Sequence, residues 1–326
     1  MGELDGTAPP EAPPQEADPG RDARRPSEFP LPAWRAVTIR VFRNIGEHHL
    51  SVIAAGVAFF GTLSIFPALA AIVGIYGFFA DRSGVLENLD EIRHFLPADA
   101  YLLIDTQARA LVAVSQPRLG LASLVALFFA IWTARSSVGA LIEGLDVVYR
   151  EQDSRSLVWS YAVALALTML VILIIVGALL ATVAVPAVLQ IVDFGPLASW
   201  LATAVPMLIL GAAAVFVIGA LYRYGPHRAL ARKRWVTLGA VLATVAWLVA
   251  SLLLSLYISN FSNFNKTYGS LGAVIALMFW FYVSAFVVLL GAEVNAEMEL
   301  QTRADTTTGP PQPIGRRGAY VADHVA

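Results

Sequence analysis

The run from Ser51 to Ala80, SVIAAGVAFFGTLSIFPALAAIVGIYGFFA, carries no charged residue over 30 positions. A helix needs only about 20 apolar residues to span the hydrocarbon core of a bilayer. A soluble domain has no use for a charge-free stretch of this length, so the chain is read as membrane-embedded. Composition agrees: 57% of residues are hydrophobic and 14% are charged, against about 25% charged in a soluble globular domain. A net charge of -2 leaves no basic footprint for nucleic acid. The absence of cysteine removes disulfides, thiolate metal sites and cysteine catalysis together. The first 33 residues are rich in Pro, Ala and Glu without an apolar core, so no signal peptide is expected there.

Six charge-poor segments follow, at about 51–80, 119–142, 157–192, 194–222, 235–258 and 267–298. The second is interrupted by Arg135, about 24 Å along a helix from Leu119. At that depth a long side chain can snorkel to the far interface. Arginine and lysine distribution sets the expected orientation. Arg35, Arg40 and Arg43 precede the first span, Arg135, Arg150 and Arg155 cluster around the second connection, and Arg223, Arg228, Arg232, Lys233 and Arg234 fill the fourth. The connection at Asp193 has none, and the one after Ile258 has only Lys266. Both termini are therefore expected in the cytoplasm.

The expected architecture is an all-α, six-span membrane domain over residues 34–303. Residues 1–33 and 304–326, polar and rich in Pro and Gly, read as disordered cytoplasmic tails. Residues 34–48 read as an amphipathic helix on the cytoplasmic surface, with Trp34, Val37, Val41 and Ile45 on its apolar face. The connection 81–118 reads as an external helical cap, Val85–Leu96 and Ala98–Val114, broken at Pro97.

The stretch from Ala220 to Glu299, with YRYGPHRALARKRW, YISNFSNFNKTYGSLG and LLGAEVNAEME, resembles the YihY/virulence factor BrkB family of bacterial inner-membrane proteins. AAGVAFFGTLSIFPALA in the first span and SSVGALIEGLDVVYR after the second match the same pattern, so the resemblance covers roughly residues 35–300. It implies a six-helix inner-membrane protein and leaves the activity open. Members once carried the label ribonuclease BN, now generally regarded as mistaken, and transport of lipids or other amphipaths has been suggested for some.

The residues argue separately against a nuclease. Metal-dependent RNA cleavage needs clustered carboxylates at a water-accessible site. The cytoplasmic candidates Glu143, Asp146, Glu151 and Asp153 read instead as a solvated, salt-bridged helix end. No phosphate-binding glycine loop occurs, and the five histidines have no metal-ligand spacing, so no cofactor or metal is implied. An enzyme is not expected.

The residues that can carry transport are few. Glu293 and Glu297 stand one turn apart at the cytoplasmic end of the last span, flanking Asn295, with Arg135, Arg150 or Arg223 as candidate partners. Glu293 lies about 39 Å along the helix from Thr267, near headgroup level. Pro67 and Pro206 should kink the first and fourth spans, with the hydroxyls of Thr62 and Ser64 available to replace the lost donor. Proline-broken helices in both halves fit an inverted repeat, although an ordinary kink explains them as well. Small-residue stripes, Ala54–Ala58–Gly61 and Gly239–Ala243–Ala246, read as helix packing. The external turn offers Asn260, Asn265, Tyr268 and Gly269, which suit either a headgroup or plain turn chemistry. The expected function is a transporter or flippase-like protein for a lipid or amphipathic molecule, with membrane lipids as partners and no nucleic acid. The alternative is a non-transporting membrane scaffold.

Overall fold

The computed structural model describes residues 19–79, 101–102, 104–106, 109, 119–152, 155–191, 197–260 and 270–326. The cap helix Val85–Leu96 and the external-turn residues Asn265, Tyr268 and Gly269 lie outside the described residues. Of the second cap helix, only positions within 101–109 are described, and these are helical.

A short amphipathic helix, α1 (Leu31–Glu47), precedes six long ones: α2 (Leu50–Phe79), α3 (Leu119–Val148), α4 (Leu157–Ile191), α5 (Leu197–Tyr224), α6 (Lys233–Asn260) and α7 (Ser270–Gln301). Each of α2–α7 holds a stretch of 21 to 30 residues apolar and long enough to cross a bilayer. Such helices satisfy their own backbone polar groups, the condition for entering lipid. Over the 18 most apolar residues of each, only 17% to 33% are buried inside the chain, as expected when lipid covers the rest. This is a multi-pass membrane protein.

The six helices form a ring in chain order. Each packs on the next, and α7 closes the circle on α2. Across the ring, among the described residues, the substantial packing is α3 against α7. That crossing occurs where Gly144 lets Leu289 and Ile53 approach within 2.9 Å and 2.7 Å of the space a Cβ would fill. The tightest core lies at the same end. Leu50, Leu145, Val148, Tyr149, Leu289 and Ala292 are fully buried there, around Tyr222 and Ala240.

Two helix ends extend beyond the expected spans and carry the buried polar side chains of Asp146, Glu299 and Gln301. The second span runs on to Val148, and α7 to Gln301. Helix α3 stops in a Schellman arrangement: the Arg150 N–H donates to Val147 O (3.1 Å) and the Glu151 N–H to Asp146 O (2.8 Å). Arg150 takes the left-handed conformation (φ 57°) that glycine usually fills. His49 (φ 51°) makes the same sharp reversal between α1 and α2.

The flanking segments differ from the sequence-based expectation. Residues 304–326 do not form a disordered tail. They return across the α5–α6 turn, where the Ala229 N–H donates to Gly318 O (2.7 Å) and Ala231 bridges Thr307. The guanidinium of Arg317 sits inside this segment and donates to the carbonyls of Arg303, Ala304, Gln312 and Ala322. Val321 and Ala322 are buried, and Tyr320–Asp323 forms a last helical turn, α8. Polar composition suggested disorder, but one internal cation and a few small apolar anchors suffice when the carbonyls turn inward. Residues 19–33 are likewise packed, with Phe29 against Trp235 and the Ala23 carbonyl accepting from Thr302. Residues 1–18 lie outside the described residues.

Helix α1 does not present only the expected apolar face. Ala33, Val37 and Val41 are buried on α7 and Trp235, while Leu31, Ile39 and Phe42 are exposed. Trp34 and Ile45 are partly buried.

Candidate functional site

The last turns of α7 read GAEVNAEMELQ and carry three carboxylates, Glu293, Glu297 and Glu299, all fully buried. Ionised carboxylates withdrawn from water are tolerated only with partners. Two faces of the helix supply them.

On one face, Glu293, Glu297 and Gln301 recur every four residues and so align along α7. Arg40, Asn44 and His48 recur at the same spacing along α1. The two rows meet antiparallel as a polar ladder. Arg40 donates through Nε to Glu297 and through a terminal nitrogen to Gln301 Oε1 (2.7 Å). The Asn44 amide donates to both Glu293 Oε1 and Glu297 Oε1, each at 2.8 Å. His48 Nδ1 lies 2.9 Å from Glu293 Oε2. The α3 terminus adds Arg150, 3.1 Å from Glu297 Oε1. Glu297 thus has two guanidinium partners. Among the described residues Glu293 has an amide and an imidazole, so its ionisable partner there is charged only when protonated.

On the second face, Glu299 accepts from one nitrogen of Arg228 at 2.8 Å and 2.9 Å, and from the Thr306 hydroxyl at 2.6 Å. Arg228 is itself buried, with its guanidinium carbon 4.4 Å from the centre of the Tyr149 ring. Burial opposes its charge, but Glu299, Tyr149 and Glu151 together outweigh that and hold the guanidinium more firmly protonated than usual. Burial also pushes the Tyr149 phenol up from its ordinary range. The Glu151 carboxyl is raised by burial too, while it accepts the Tyr320 N–H at 2.7 Å.

Asn295, between these faces, has a packing role. Its Oδ1 accepts the Gly239 N–H (2.9 Å), and its amide donates to Val236 O (3.3 Å). Only glycine at 239 leaves room for that amide. The stripe Gly239–Ala243 is therefore the seam where α6 receives α7, as small-residue spacing suggests. Ala54, Ala58 and Gly61 do the same for α2, with Gly61 beneath Phe281 and Ser137.

Several expected site residues lie elsewhere. Of the cations proposed for Glu293 and Glu297, Arg150 reaches Glu297, while Arg135 and Arg223 do not join the ladder. Arg135 lies over the Tyr161 ring on α4 (3.5 Å), and Arg223 near Tyr224 (5.6 Å). Glu143 is exposed, whereas its neighbour Asp146 is buried and accepts the His227 N–H at 2.7 Å. Pro67 and Pro206 lie inside continuous helices. The Thr62 and Ser64 hydroxyls donate to Ala58 O and Gly61 O, not to the Leu63 carbonyl that Pro67 leaves without its usual donor. Asn260 ends α6. Arg228, counted among the cations of the fourth connection, is an internal partner of Glu299, and Arg232 donates to Thr307 O (2.7 Å). The missed partners Arg40, Asn44 and His48 form a polar row at four-residue spacing beside the apolar one.

Residues 41–314 match the family described as Virulence factor BrkB, a region holding α2–α7, the C-terminal part of α1 and the first part of the packed C-terminal segment. The chain belongs to the BrkB family. Among its relatives, a ribonuclease-like protein of Bacillus subtilis, YfkH, is 31% identical over 257 residues, covering 74% of this chain and 88% of that protein. A UPF0761 membrane protein of Vibrio parahaemolyticus is 29% identical over 281 residues, covering 82% of this chain and 83% of the relative. A third, from Psychromonas ingrahamii, is 25% identical over 265 residues, 79% and 86% of the two chains. No solved structure gives a significant match to this BrkB-family chain.

Proposed function

We propose that this BrkB-family protein moves a lipid or other amphipathic molecule across the bacterial inner membrane, with both termini in the cytoplasm. The observation that supports this most is the ring of six spans, packed across itself by α3 on α7 at one end. That end also carries the polar ladder, which ties α1, the α3 terminus and α7 together. Ion pairs and an amide bridge can separate and re-form as water enters, whereas a continuous apolar seam gains nothing from water. The ladder is thus read as the gate of a path between the helices, and Glu293 as its weakest rung because its counter-charge depends on His48. Pro67 and Pro206 each remove one backbone bond from a ring helix and give pliable points for the opening.

No chemical step is assigned to the cluster. Its carboxylates are buried against cations and other donors instead of facing a substrate. The test is movement of a fluorescent phospholipid in proteoliposomes, read by an external reductant. Wild-type protein is expected to expose label beyond the outer-leaflet half, and Glu293→Ala or Pro67→Ala at matched insertion to suppress that excess. Bleaching that stops at the outer leaflet with folded wild-type protein would reject passive lipid movement and leave energy-coupled transport and the scaffold.

A further inference from the structure

Arg135 stands apart from the charges of the ladder. It lies in the middle of the Ser123–Val148 span, 12 residues from one end and 13 from the other. A guanidinium at such a position is costly and ordinarily paired. Glu293, Glu297 and Glu299 all have partners, but Arg135 has no hydrogen bond or ion pair among the described residues, and its Nε is buried and unsatisfied. Its guanidinium carbon rests 3.5 Å from the centre of the Tyr161 ring. The side chain folds back along its own helix over Gly139, whose missing Cβ would lie 3.8 Å from that carbon. The group is therefore held in place by a ring and a glycine, with its donor fork unused.

The surface beside it is apolar and open. Leu124, Phe128 and Trp132 recur every four residues on α3, leading up to Arg135. They are 62%, 59% and 50% exposed, and Tyr161 is 46% exposed. The Phe128 and Trp132 rings are 6.0 Å apart, and Trp132 and Tyr161 6.4 Å. A cation at the head of an aromatic and aliphatic track matches an anion with a hydrocarbon tail. Guanidinium suits phosphate particularly, because its fork donates two parallel bonds to adjacent oxygens.

We infer that Arg135, Tyr161 and Trp132 form a headgroup site for a phosphate-bearing lipid, whose acyl chain lies along Trp132, Phe128 and Leu124. As the substrate class of the transport proposed above it rests on that reading, but occupancy is measured without any lipid movement, so the two fail separately.

The experiment is native mass spectrometry of the full chain with dioleoylphosphatidylglycerol, with dioleoylglycerol as the matched lipid lacking phosphate, and with inorganic phosphate alone. Phosphatidylglycerol binding is expected to weaken about tenfold in Arg135→Gln, the loss of one charge-assisted contact. Arg135→Lys should recover part of it, and Lys233→Gln, which removes an exposed cation at the start of α6, should leave it unchanged. Dioleoylglycerol should bind wild type and Arg135→Gln alike. If Arg135→Gln fails to fold, Tyr161→Leu carries the same expectation. Quenching of Trp132 fluorescence by a brominated-chain phosphatidylglycerol, measured in a variant whose other tryptophans are phenylalanine, reports the chain position. Equal phosphatidylglycerol affinity in wild type and Arg135→Gln would overturn the site. Inorganic phosphate binding as tightly as the lipid, and with the same Arg135 dependence, would overturn the lipid assignment and leave a free-anion site.

Discussion

Replacing Glu299 by Ala is expected to lower stability by about 3–5 kcal/mol, the cost of leaving a buried charge without its partner. Arg228 is 1% exposed at its side chain and has Glu299 as its ion-pair partner. With that carboxylate gone, the guanidinium is left, among the described residues, with the Tyr149 ring, a contact worth about 0.5–2 kcal/mol, and the field of Glu151. Arg228→Ala should cost a comparable amount, because among the described residues Glu299 would retain the Thr306 hydroxyl alone. The double variant Arg228→Met, Glu299→Leu should recover much of the loss, since removing both charges strands neither. Thermal unfolding in detergent checks all three, and the single variants Arg228→Met and Glu299→Leu complete a double-mutant cycle with the double variant. Additive losses would mean that the two residues act independently.

A second large effect is expected at the α6–α7 seam. A Cβ at Gly291 would lie 2.5 Å from the Tyr222 hydroxyl, 2.7 Å from Ala243 Cβ and 2.8 Å from Gly239 O. Two of these neighbours are backbone or a methyl on a packed helix and cannot swing away. The third is held by the bond that Tyr222 donates to Val288 O (2.6 Å). Gly291→Ala is therefore expected to destabilise by about 1–3 kcal/mol from overpacking, plus about 1 kcal/mol if the Tyr222 bond breaks. Gly177 on α4 has open space where its Cβ would go. Gly177→Ala should be neutral or slightly stabilising, because alanine is the better helix former. Thermal melts of the two variants separate local crowding from a general sensitivity of the spans to alanine.

The membrane spans were legible because a charge-free run of bilayer length has one physical use. The small-residue seams were legible for a similar reason: glycine and alanine at helical spacing admit another helix, and Gly239 and Gly61 do so. Pairing was harder to read. Glu293 and Glu297 stood out, yet their partners come mainly from Arg40, Asn44 and His48, some 250 residues earlier. A carboxylate declares that it needs a partner without saying which cation will reach it. The row Arg40–Asn44–His48 was obscured because α1 was read by its apolar face. The packed C-terminus was harder still. Its order depends on Arg317 collecting four backbone carbonyls, and composition carries no trace of that.

The gate is tested most directly by fastening it. The chain has no cysteine, so Asn44→Cys with Glu297→Cys gives one defined pair where the native side chains meet at 2.8 Å. A short thiol-reactive cross-linker joins α1 to α7 and is released by reductant. The measurement is phospholipid movement in proteoliposomes with the link closed and then opened, beside each single-cysteine variant. Movement that stops on linking and returns on release is the predicted result. Movement that continues unchanged with the link in place would contradict the ladder as a gate.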